Sequence, residues 1–274
     1  MARYLLVFMA FTALVSCSDK YASKIYQDTN TSYRKQVKRY AQILGQYPLH
    51  DSAGIKMSME WVGTTNFSMR KPNFVVIHHT AQNSCEQTLK TFTIPRTAVS
   101  AHYVICEDGT VHHMLNDYLR AHHAGLGRWG NVTDLNSSSI GIELDNDGTE
   151  EFKYAQIQSL YILLERLKKA YSIPAANFIG HSDLAPTRKN DPNVHFDWNE
   201  LSARGFGLWY GDTTNLAVPQ DFNAIQALRI VGYDVTNTTA AITVFKRKYL
   251  KIDNSKELTE ADKKVLYALM KKFL

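Results

Sequence analysis

The chain has 274 residues, of which 45% are hydrophobic and 21% charged, as is ordinary for a globular protein. This length allows one large domain, or one medium domain with a smaller one. The formal net charge of +5 is modest, and no basic stripe with interleaved aromatic residues occurs, so we expect no nucleic-acid partner.

Residues 1–17 resemble the signal peptide of a bacterial lipoprotein. Arg3 supplies a positive start, the apolar stretch 4–15 is too short to span a bilayer stably, and Leu-Val-Ser-Cys ends at Cys17. In such lipoproteins the cysteine is lipidated and becomes the mature N-terminus, and several acyl chains hold a protein on a membrane. We therefore expect an exported protein, anchored through Cys17 and facing the periplasm, with the outer membrane favoured over the inner. A plain signal peptide cleaved nearby is the alternative.

Residues 18–60 are expected to form a tether and an N-terminal helical extension. The stretch Ser18–Asn30 is polar and lacks periodicity, as is typical of a tether. Between Tyr33 and Leu44 apolar residues recur at helical spacing on a strongly basic segment. Such a helix can lie on a membrane surface. More often it packs by its apolar side and leaves its charged face in solvent, which we favour here. A short strand is expected near Trp61.

Residues 61–210 predict an α/β domain with a mixed central β-sheet flanked by helices. The apolar run 74–77 is typical of a buried strand, Asp108 and Gly109 of a hairpin turn, and the apolar stripe of 154–171 of an amphipathic helix. The expected elements are a strand at 74–77, a helix at 84–94, a hairpin at 100–114, a strand at 138–145, a helix at 154–171 and a strand at 177–179.

Two cysteines, Cys85 and Cys106, lie within this predicted domain. An exported protein can form a disulfide, but spacing along the sequence cannot establish one. Cys85 is expected near the start of a helix and Cys106 within a strand pattern. We therefore favour two separate buried thiols and leave the disulfide as the alternative.

Residues able to bind a metal follow two of the predicted strands. His78 ends the strand 74–77, and His181 follows the strand at 177–179, at the start of a polar loop that also contains Asp191. Ligands gather at the carboxyl ends of strands in open α/β sheets. Imidazole and carboxylate are zinc ligands, and a catalytic zinc site uses three protein ligands and leaves one position for water. Considered alone, two hydrogen-bonded core histidines and a turn-capping Asp would be the simpler interpretation.

Five segments in order extend the pattern around these residues, and together they are more specific than any one of them. They are VVIHHTA, SAHYVICEDGT, HHAG, NSSSIGIELDN and GHSDLAPTRKNDP. In this order they resemble the zinc-dependent N-acetylmuramoyl-L-alanine amidases of the AmpD and AmiD type, relatives of phage lysozyme-type amidases and peptidoglycan recognition proteins. The resemblance covers roughly residues 70–210. It implies that one zinc ion is held by His78, His181 and Asp191.

The resemblance also implies the reaction, which is hydrolysis of the amide between the lactyl group of N-acetylmuramic acid and L-alanine, in cell-wall turnover or recycling. Glu143 would move the proton from water to the leaving amine, and Lys189 would donate to the oxyanion. Asn193 stands where the family usually has Gly after Asp-Pro; because Asn tolerates positive φ, we expect the turn to survive. The residues expected to contact the peptidoglycan or muropeptide substrate are His102, His123, Ala124, Gly125, Asn136 and Arg188.

Beyond Tyr210 the composition changes, and residues 213–274 predict a small C-terminal module of three helices. The last of them begins with a capping box at Thr259. This region resembles the three-helix peptidoglycan-binding module often found beside such amidases. An equally acceptable interpretation is a helical appendage that packs on the catalytic domain and binds no ligand.

A second function class is a non-hydrolytic lipoprotein that binds or anchors peptidoglycan. Members of the wider superfamily that only bind usually lack a zinc ligand. Here all three ligand positions and both catalytic positions are filled, so we favour the hydrolase and expect it to act as a monomer.

Overall fold

A computed structural model describes residues 24–46, 63–252 and 255–274, and the chain divides into two units between Phe67 and Ser68. The first unit contains helix α1, Gln27–Leu44, and none of the described side chains of α1 is buried. Whether its apolar side packs or meets a membrane stays a prediction. The predicted signal peptide, Cys17 and the strand near Trp61 lie outside the described residues.

No helix in the described ranges combines the length and the apolar character that crossing a membrane requires.

The second unit is built on a five-stranded mixed sheet with the strand order β3-β2-β4-β1-β5. Strands β2 and β3 are antiparallel, whereas β2–β4, β4–β1 and β1–β5 are parallel. This confirms the predicted α/β class with a mixed sheet. The strands are β1 Phe74–His79, β2 Tyr103–Ile105, β3 Val111–His113, β4 Ser139–Leu144 and β5 Phe178–Gly180. The helices are α2 Cys85–Thr93, α3 Leu135–Ser138, α4 Tyr154–Tyr171, α5 His181–Leu184, α6 Trp198–Ala203, α7 Ala224–Val231, α8 Thr238–Leu250 and α9 Glu260–Met270.

Strand β1 lies inside the sheet, and all six of its residues are buried. Its continuous apolar run suits this position because both faces of the strand are covered. Residues Phe74 to His79 pair in parallel with Ser139 to Leu144, so that His78 lies opposite Glu143. Since parallel strands end at the same edge, β1, β4 and β5 bring their polar terminal residues to one side of the molecule.

The two faces of the sheet contribute to different hydrophobic cores. On one face Val75 and Ile77 pack in the same core as helix α4, with Ile140, Ile142 and Leu144 of β4 sharing that face as predicted. On the other face Val76 belongs to a core that includes the C-terminal helices α7, α8 and α9. The predicted helical C-terminal region is therefore present and shares a core with the sheet. Whether it binds peptidoglycan stays a prediction.

Cys85 and Cys106 form a disulfide with their Cα atoms 5.3 Å apart, so the favoured prediction of two separate thiols is wrong. Cys85 is the first residue of α2, and Cys106 directly follows β2. Helix α2 packs against β2, which brings the two residues together across 21 positions of sequence. This proximity is a tertiary contact that neither local pattern contains.

Candidate metal centre and active site

The three predicted metal ligands converge at the carboxyl edge of the sheet. His78 is on β1, His181 begins α5 directly after β5, and Asp191 lies in the loop that follows α5. The two Nδ1 atoms are 2.9 Å apart, and each is 3.0 Å from Asp191 Oδ2. All three residues are buried. Three side chains from distant parts of the chain therefore each direct one donor atom toward a common point.

The surroundings of the cluster favour the neutral form of His78 and the ionised form of Asp191. Burial, and secondarily the neighbouring His181, lower the pKa of His78 to about 4. Burial alone would raise the pKa of Asp191, but the His181 and His78 rings beside its carboxylate hold the pKa below the usual value. At neutral pH the cluster therefore combines an ionised carboxylate with imidazole groups, a donor set that suits a divalent cation.

The orientation of His181 agrees with a metal-binding role. Its Nε2 lies 2.9 Å from the carbonyl oxygen of Ala124. A carbonyl oxygen can only accept a hydrogen bond, so Nε2 carries a proton, and the tautomer of imidazole with this proton has its lone pair at Nδ1. Metal-binding histidines are commonly held in this way by their second nitrogen.

The donor spacing also fits zinc. A tetrahedral site with bonds of about 2.0–2.2 Å places its ligand atoms about 3.3 Å apart. The observed separations of 2.9–3.0 Å are slightly shorter, so a small outward movement would accommodate the ion. Two nitrogens and one oxygen also match the chemistry that zinc prefers. His78, His181 and Asp191 therefore fit the zinc ion that the family resemblance implied.

Glu143 lies beside the cluster, on β4 opposite His78, with its carboxylate 4.0 Å from His78 Nδ1. It is buried. Burial, followed by the charge of Asp191, raises the pKa of Glu143 well above its usual value, and Lys189 opposes this effect. Ionising a buried carboxylate is costly, and a carboxyl group with a perturbed pKa beside such a cluster is a candidate for proton transfer.

Residues 68–194, which contain this cluster, match the protein family described as N-acetylmuramoyl-L-alanine amidase. The matched segment is less than half of the chain.

Relatives and solved structures agree with this assignment. The chain is 34% identical to the N-acetylmuramoyl-L-alanine amidase AmiD of Escherichia coli over 151 residues, which cover 49% of this chain and 54% of AmiD. It is 38% identical to the 1,6-anhydro-N-acetylmuramyl-L-alanine amidase AmpD of Enterobacter cloacae over 110 residues, which cover 40% of this chain and 59% of AmpD. The chain thus spans little more than half the length of these curated relatives.

Two solved structures resemble the chain more extensively. Escherichia coli AmiD, in complex with the substrate anhydro-N-acetylmuramic acid-L-Ala-D-gamma-Glu-L-Lys, has a TM-score of 0.67 at 26% identity, covering 77% of this chain and 93% of AmiD. AmpDh3 from Pseudomonas aeruginosa has a TM-score of 0.68 at 26% identity, covering 80% of this chain and 98% of AmpDh3. These two resemblances cover more of the chain than the matched segment does.

Within the amidase segment, Lys189 lies close enough to the centre for its charge to act on both His78 and Glu143. Its backbone N–H donates to the carbonyl of Ala185, 3.0 Å away, at the end of α5. The side chain is half-buried. The short turn after α5 therefore fixes the backbone of Lys189 in the loop that continues to Asp191.

Two predicted substrate contacts are instead engaged within the amidase domain. His102 has no exposed surface; its Nδ1 accepts from the Gly141 N–H at 3.0 Å, and its Nε2 lies 3.0 Å from the Leu119 carbonyl. It therefore has no ring nitrogen available to a substrate in this structure. His123 is also buried and lies against His78, with 3.0 Å between His123 Nδ1 and His78 Nε2.

Asn136 and Ala124, also predicted to contact substrate, organise the loop before the site. Asn136 Oδ1 accepts from the backbone N–H groups of His123 and Ala124 at 3.0 and 2.8 Å. The Ala124 carbonyl accepts from His181, as described above, and from Arg188 Nη2 at 2.9 Å. The amide of Asn136 thus fixes the backbone that orients the His181 ring.

Arg188 and Gly125, the last two predicted contacts, lie together at the exposed rim. The Arg188 guanidinium also donates to the Leu126 carbonyl at 2.5 Å. Gly125 has φ +60°, and a Cβ there would lie 3.2 Å from Arg188 Nη2. Glycine therefore allows both the backbone conformation and the close approach of the guanidinium. Both residues remain exposed, so a substrate can reach them.

Asn193 does not have a positive φ, so the turn after Asp191 does not depend on the tolerance of Asn for that conformation. Its side-chain Nδ2 donates to Asn146 Oδ1 and to the Glu150 carbonyl, at 3.0 and 3.1 Å. Its backbone N–H donates to His79 Nδ1 at 3.1 Å. The turn after Asp191 is therefore held by an amide side chain that Gly could not replace.

A buried ion pair behind α5 was missed by sequence reasoning. Asp183 Oδ2 accepts from Lys248 Nζ at 2.5 Å and from the Gly180 N–H at 2.8 Å, and Asp183 Oδ1 accepts from the Tyr233 hydroxyl at 3.1 Å. Burial lowers the pKa of Lys248, and the carboxylate of Asp183 opposes this. Helix α8 therefore supports the turn that begins with His181. A lysine in an amphipathic helix gives no sequence signal of such a role.

Proposed function

We propose that the protein is a zinc-dependent N-acetylmuramoyl-L-alanine amidase that hydrolyses the amide between the lactyl group of N-acetylmuramic acid and L-alanine. The decisive observation is the triangle of buried donor atoms of His78, His181 and Asp191, 2.9–3.0 Å apart, with the buried carboxylate of Glu143 4.0 Å from His78 Nδ1. Further support comes from AmpDh3 in complex with anhydromuramic pentapeptide, which resembles the chain with a TM-score of 0.67 at 27% identity and is covered to 99%.

In this proposal His78, His181 and Asp191 hold the ion. Zinc in a site with three protein ligands acts as a Lewis acid and lowers the pKa of water toward 7. Glu143 accepts a proton from the attacking water and returns it to the amine that leaves. Its raised pKa suits both steps near neutral pH. Burial of the site strengthens each of these interactions.

Lys189 supplies the remaining charge. As water attacks the amide carbon, negative charge develops on the carbonyl oxygen, and a positioned ammonium group stabilises it by donating a hydrogen bond. Lys189 is half-buried and acts electrostatically on Glu143, so its ammonium group is near the reacting atoms. The exposed Arg188 and Gly125 at the rim are suited to contact the muropeptide.

The proposed cellular role combines this chemistry with the sequence of the N-terminus. Lipidation at Cys17 would anchor the exported enzyme to a membrane on its periplasmic side, with the outer membrane favoured. The substrate would then be peptidoglycan or muropeptides released from it during cell-wall turnover or recycling. The support for the anchor is the pattern of residues 1–17 alone.

The test uses protein that starts at Ser18, so that every described residue is retained. Metal content is measured by elemental analysis, and purified muropeptides are digested and analysed by mass spectrometry for free peptide with an intact L-alanine amine. Asp191→Ala should lose both the metal and the product. The exposed Asp212 provides a control, because Asp212→Ala should change neither.

Variants of the proton carrier and the oxyanion donor separate chemistry from metal binding. Glu143→Gln should keep zinc and lose about a hundredfold or more in kcat, because the proton transfer is lost. Lys189→Met should also keep zinc and lose about a hundredfold or more. Muropeptide cleavage that survives Asp191→Ala, or that survives removal of zinc by a chelator, would disprove the proposal. Binding of muropeptide without any cleavage would instead favour the non-hydrolytic alternative.

A further inference from the structure

A chain of buried hydrogen-bonding groups leads away from His78 on the side opposite the metal centre. His78 Nε2 lies 3.0 Å from His123 Nδ1, and His123 Nε2 lies 3.1 Å from Ser139 Oγ. Ser139 Oγ in turn contacts the carbonyl oxygen of Leu135. All four residues are buried. We refer to His123, Ser139 and the Leu135 carbonyl as the His123 relay.

The direction of the hydrogen bonds in the relay follows from its last member. The Leu135 carbonyl can only accept, so the hydroxyl of Ser139 donates to it and uses its single proton. Ser139 Oγ then accepts from His123 Nε2–H. Burial disfavours the charged form of His123, and the neutral ring therefore has an acceptor at Nδ1. His78 donates to that acceptor through Nε2–H, which leaves a lone pair at His78 Nδ1; Asp191 Oδ2, 3.0 Å from this atom, competes for the proton when no ion is bound.

The backbone around His123 holds the ring in this position. A Cβ on Gly141 would lie 2.4 Å from His123 Cγ, so the imidazole occupies space that only glycine leaves open on β4. The backbone N–H of His123 is bound by Asn136 Oδ1 at 3.0 Å. The rings of His78 and His123 meet edge to face, at an interplanar angle of 87°. The relay is therefore built into the strand and the loop and does not depend on a flexible side chain.

We infer that His123 is a positioning residue, which holds His78 in the tautomer that presents its Nδ1 lone pair to the metal. This inference deepens the proposed function and rests on it. For His181 the carbonyl of Ala124 performs the same task directly. With both rings fixed, the two imidazoles offer the same nitrogen to the ion and no tautomer has to change on binding. Partners of this kind typically contribute a factor of about 10–100 in metal affinity.

The first test reads the tautomer directly in metal-free protein starting at Ser18. Nitrogen NMR of the imidazole rings should show His78 protonated at Nε2 in the wild type. In His123→Leu the acceptor is gone, and the Nδ1-protonated form of His78 should become populated. In His123→Asn the amide oxygen takes nearly the position of His123 Nδ1, so most of the wild-type tautomer should return. This rescue separates an effect of hydrogen bonding from a loss of packing.

The second test measures zinc affinity by competition with a chromogenic chelator. His123→Leu should bind zinc about 10–100-fold more weakly than the wild type, and His123→Asn should recover most of this loss. Ser139→Ala keeps the imidazole but removes its acceptor, and should give a smaller loss in the same direction. The neighbouring His122 is exposed, so His122→Leu is the matched control and should bind zinc like the wild type.

Each outcome either supports or overturns the inference. A wild-type His78 protonated at Nδ1 in metal-free protein would overturn it, as would unchanged zinc affinity and unchanged tautomer in His123→Leu. Should His123→Leu fail to fold, the same comparisons are made with Ser139→Ala and His123→Asn. If the wild type binds no zinc at all, the proposed function fails, while the tautomer of His78 still decides the role of His123.

Discussion

The ion pair between Lys248 and Asp183 provides a quantitative test of how the C-terminal helices support the metal centre. The Nζ–Oδ2 distance is 2.5 Å, and the side chains are only 6% and 1% exposed. The same ammonium group lies 4.0 Å from the centroid of the Trp198 ring. Lys248→Met keeps most of the volume of the side chain and removes its charge, so Asp183 is left buried without its counter-ion.

The expected loss follows from this burial. Removing one partner of a buried ion pair typically destabilises a protein by about 3–5 kcal/mol, because the remaining charge cannot return to water. A domain is stable by only about 5–15 kcal/mol, so the variant should lose a large part of its stability. The surface pair between Lys263 and Glu260 has a similar distance of 2.7 Å, but its side chains are 35% and 84% exposed. Such pairs contribute about 0–1 kcal/mol.

The assay is urea unfolding of wild type, Lys248→Met and the control Lys263→Met, followed by tryptophan fluorescence. Lys248→Met should lower the midpoint strongly, whereas Lys263→Met should barely move it. The double variant Asp183→Asn with Lys248→Met should lose less than Lys248→Met alone, because no charge stays unpaired. Equal midpoints for Lys248→Met and Lys263→Met would show that the buried pair does not stabilise the fold more than the surface pair does.

Three further predictions concern other features of the structure. In metal-free protein Glu143→Gln should raise the free energy of unfolding at pH 7. Because the pKa of Glu143 is raised in the folded state, its ionised form destabilises the fold at neutral pH. The gain in stability should therefore vanish as the pH falls into the ordinary carboxyl range. Urea titrations at pH 7 that show no gain would contradict this prediction. Replacing Cys85 and Cys106 by serine should cost about 3 kcal/mol in urea unfolding, and an unchanged midpoint would show that the crosslink stabilises nothing. Asn193→Gly should cost about 1–3 kcal/mol, because the side-chain hydrogen bond to Asn146 is lost; a more stable glycine variant would favour a turn that needs positive φ.

Patterns with a physical period were sufficient to predict most of the sheet and the long helix. The helix expected at 154–171 has the observed bounds, and the hairpin forms around the turn predicted at Asp108 and Gly109. The apolar run of β1 correctly indicated an interior strand. These elements are determined by burial and local backbone preference, which a single sequence records directly.

The candidate site was predictable in its three convergent ligands, but their surroundings were not. His102 and His123 were expected to contact substrate because they lie in segments shared with a family, yet both are buried among protein groups. Sequence reasoning could not see that β4 carries Gly141 beneath the His123 ring. The support of Asp183 by Lys248 also joins residues 65 positions apart. Such partners are set by tertiary packing, and no local period encodes them.

The pairing of His78 with Glu143 has a consequence for how this chain tolerates change. The two residues are register partners on adjacent parallel strands, so the spacing between the proposed metal ligand and the proposed proton carrier is a property of the backbone ladder. Loops that connect the strands can lengthen or shorten over generations without altering it. A single inserted residue inside β1 or β4 would instead turn one of the two side chains to the opposite face. Insertions should therefore accumulate in the connections and be excluded from these two strands.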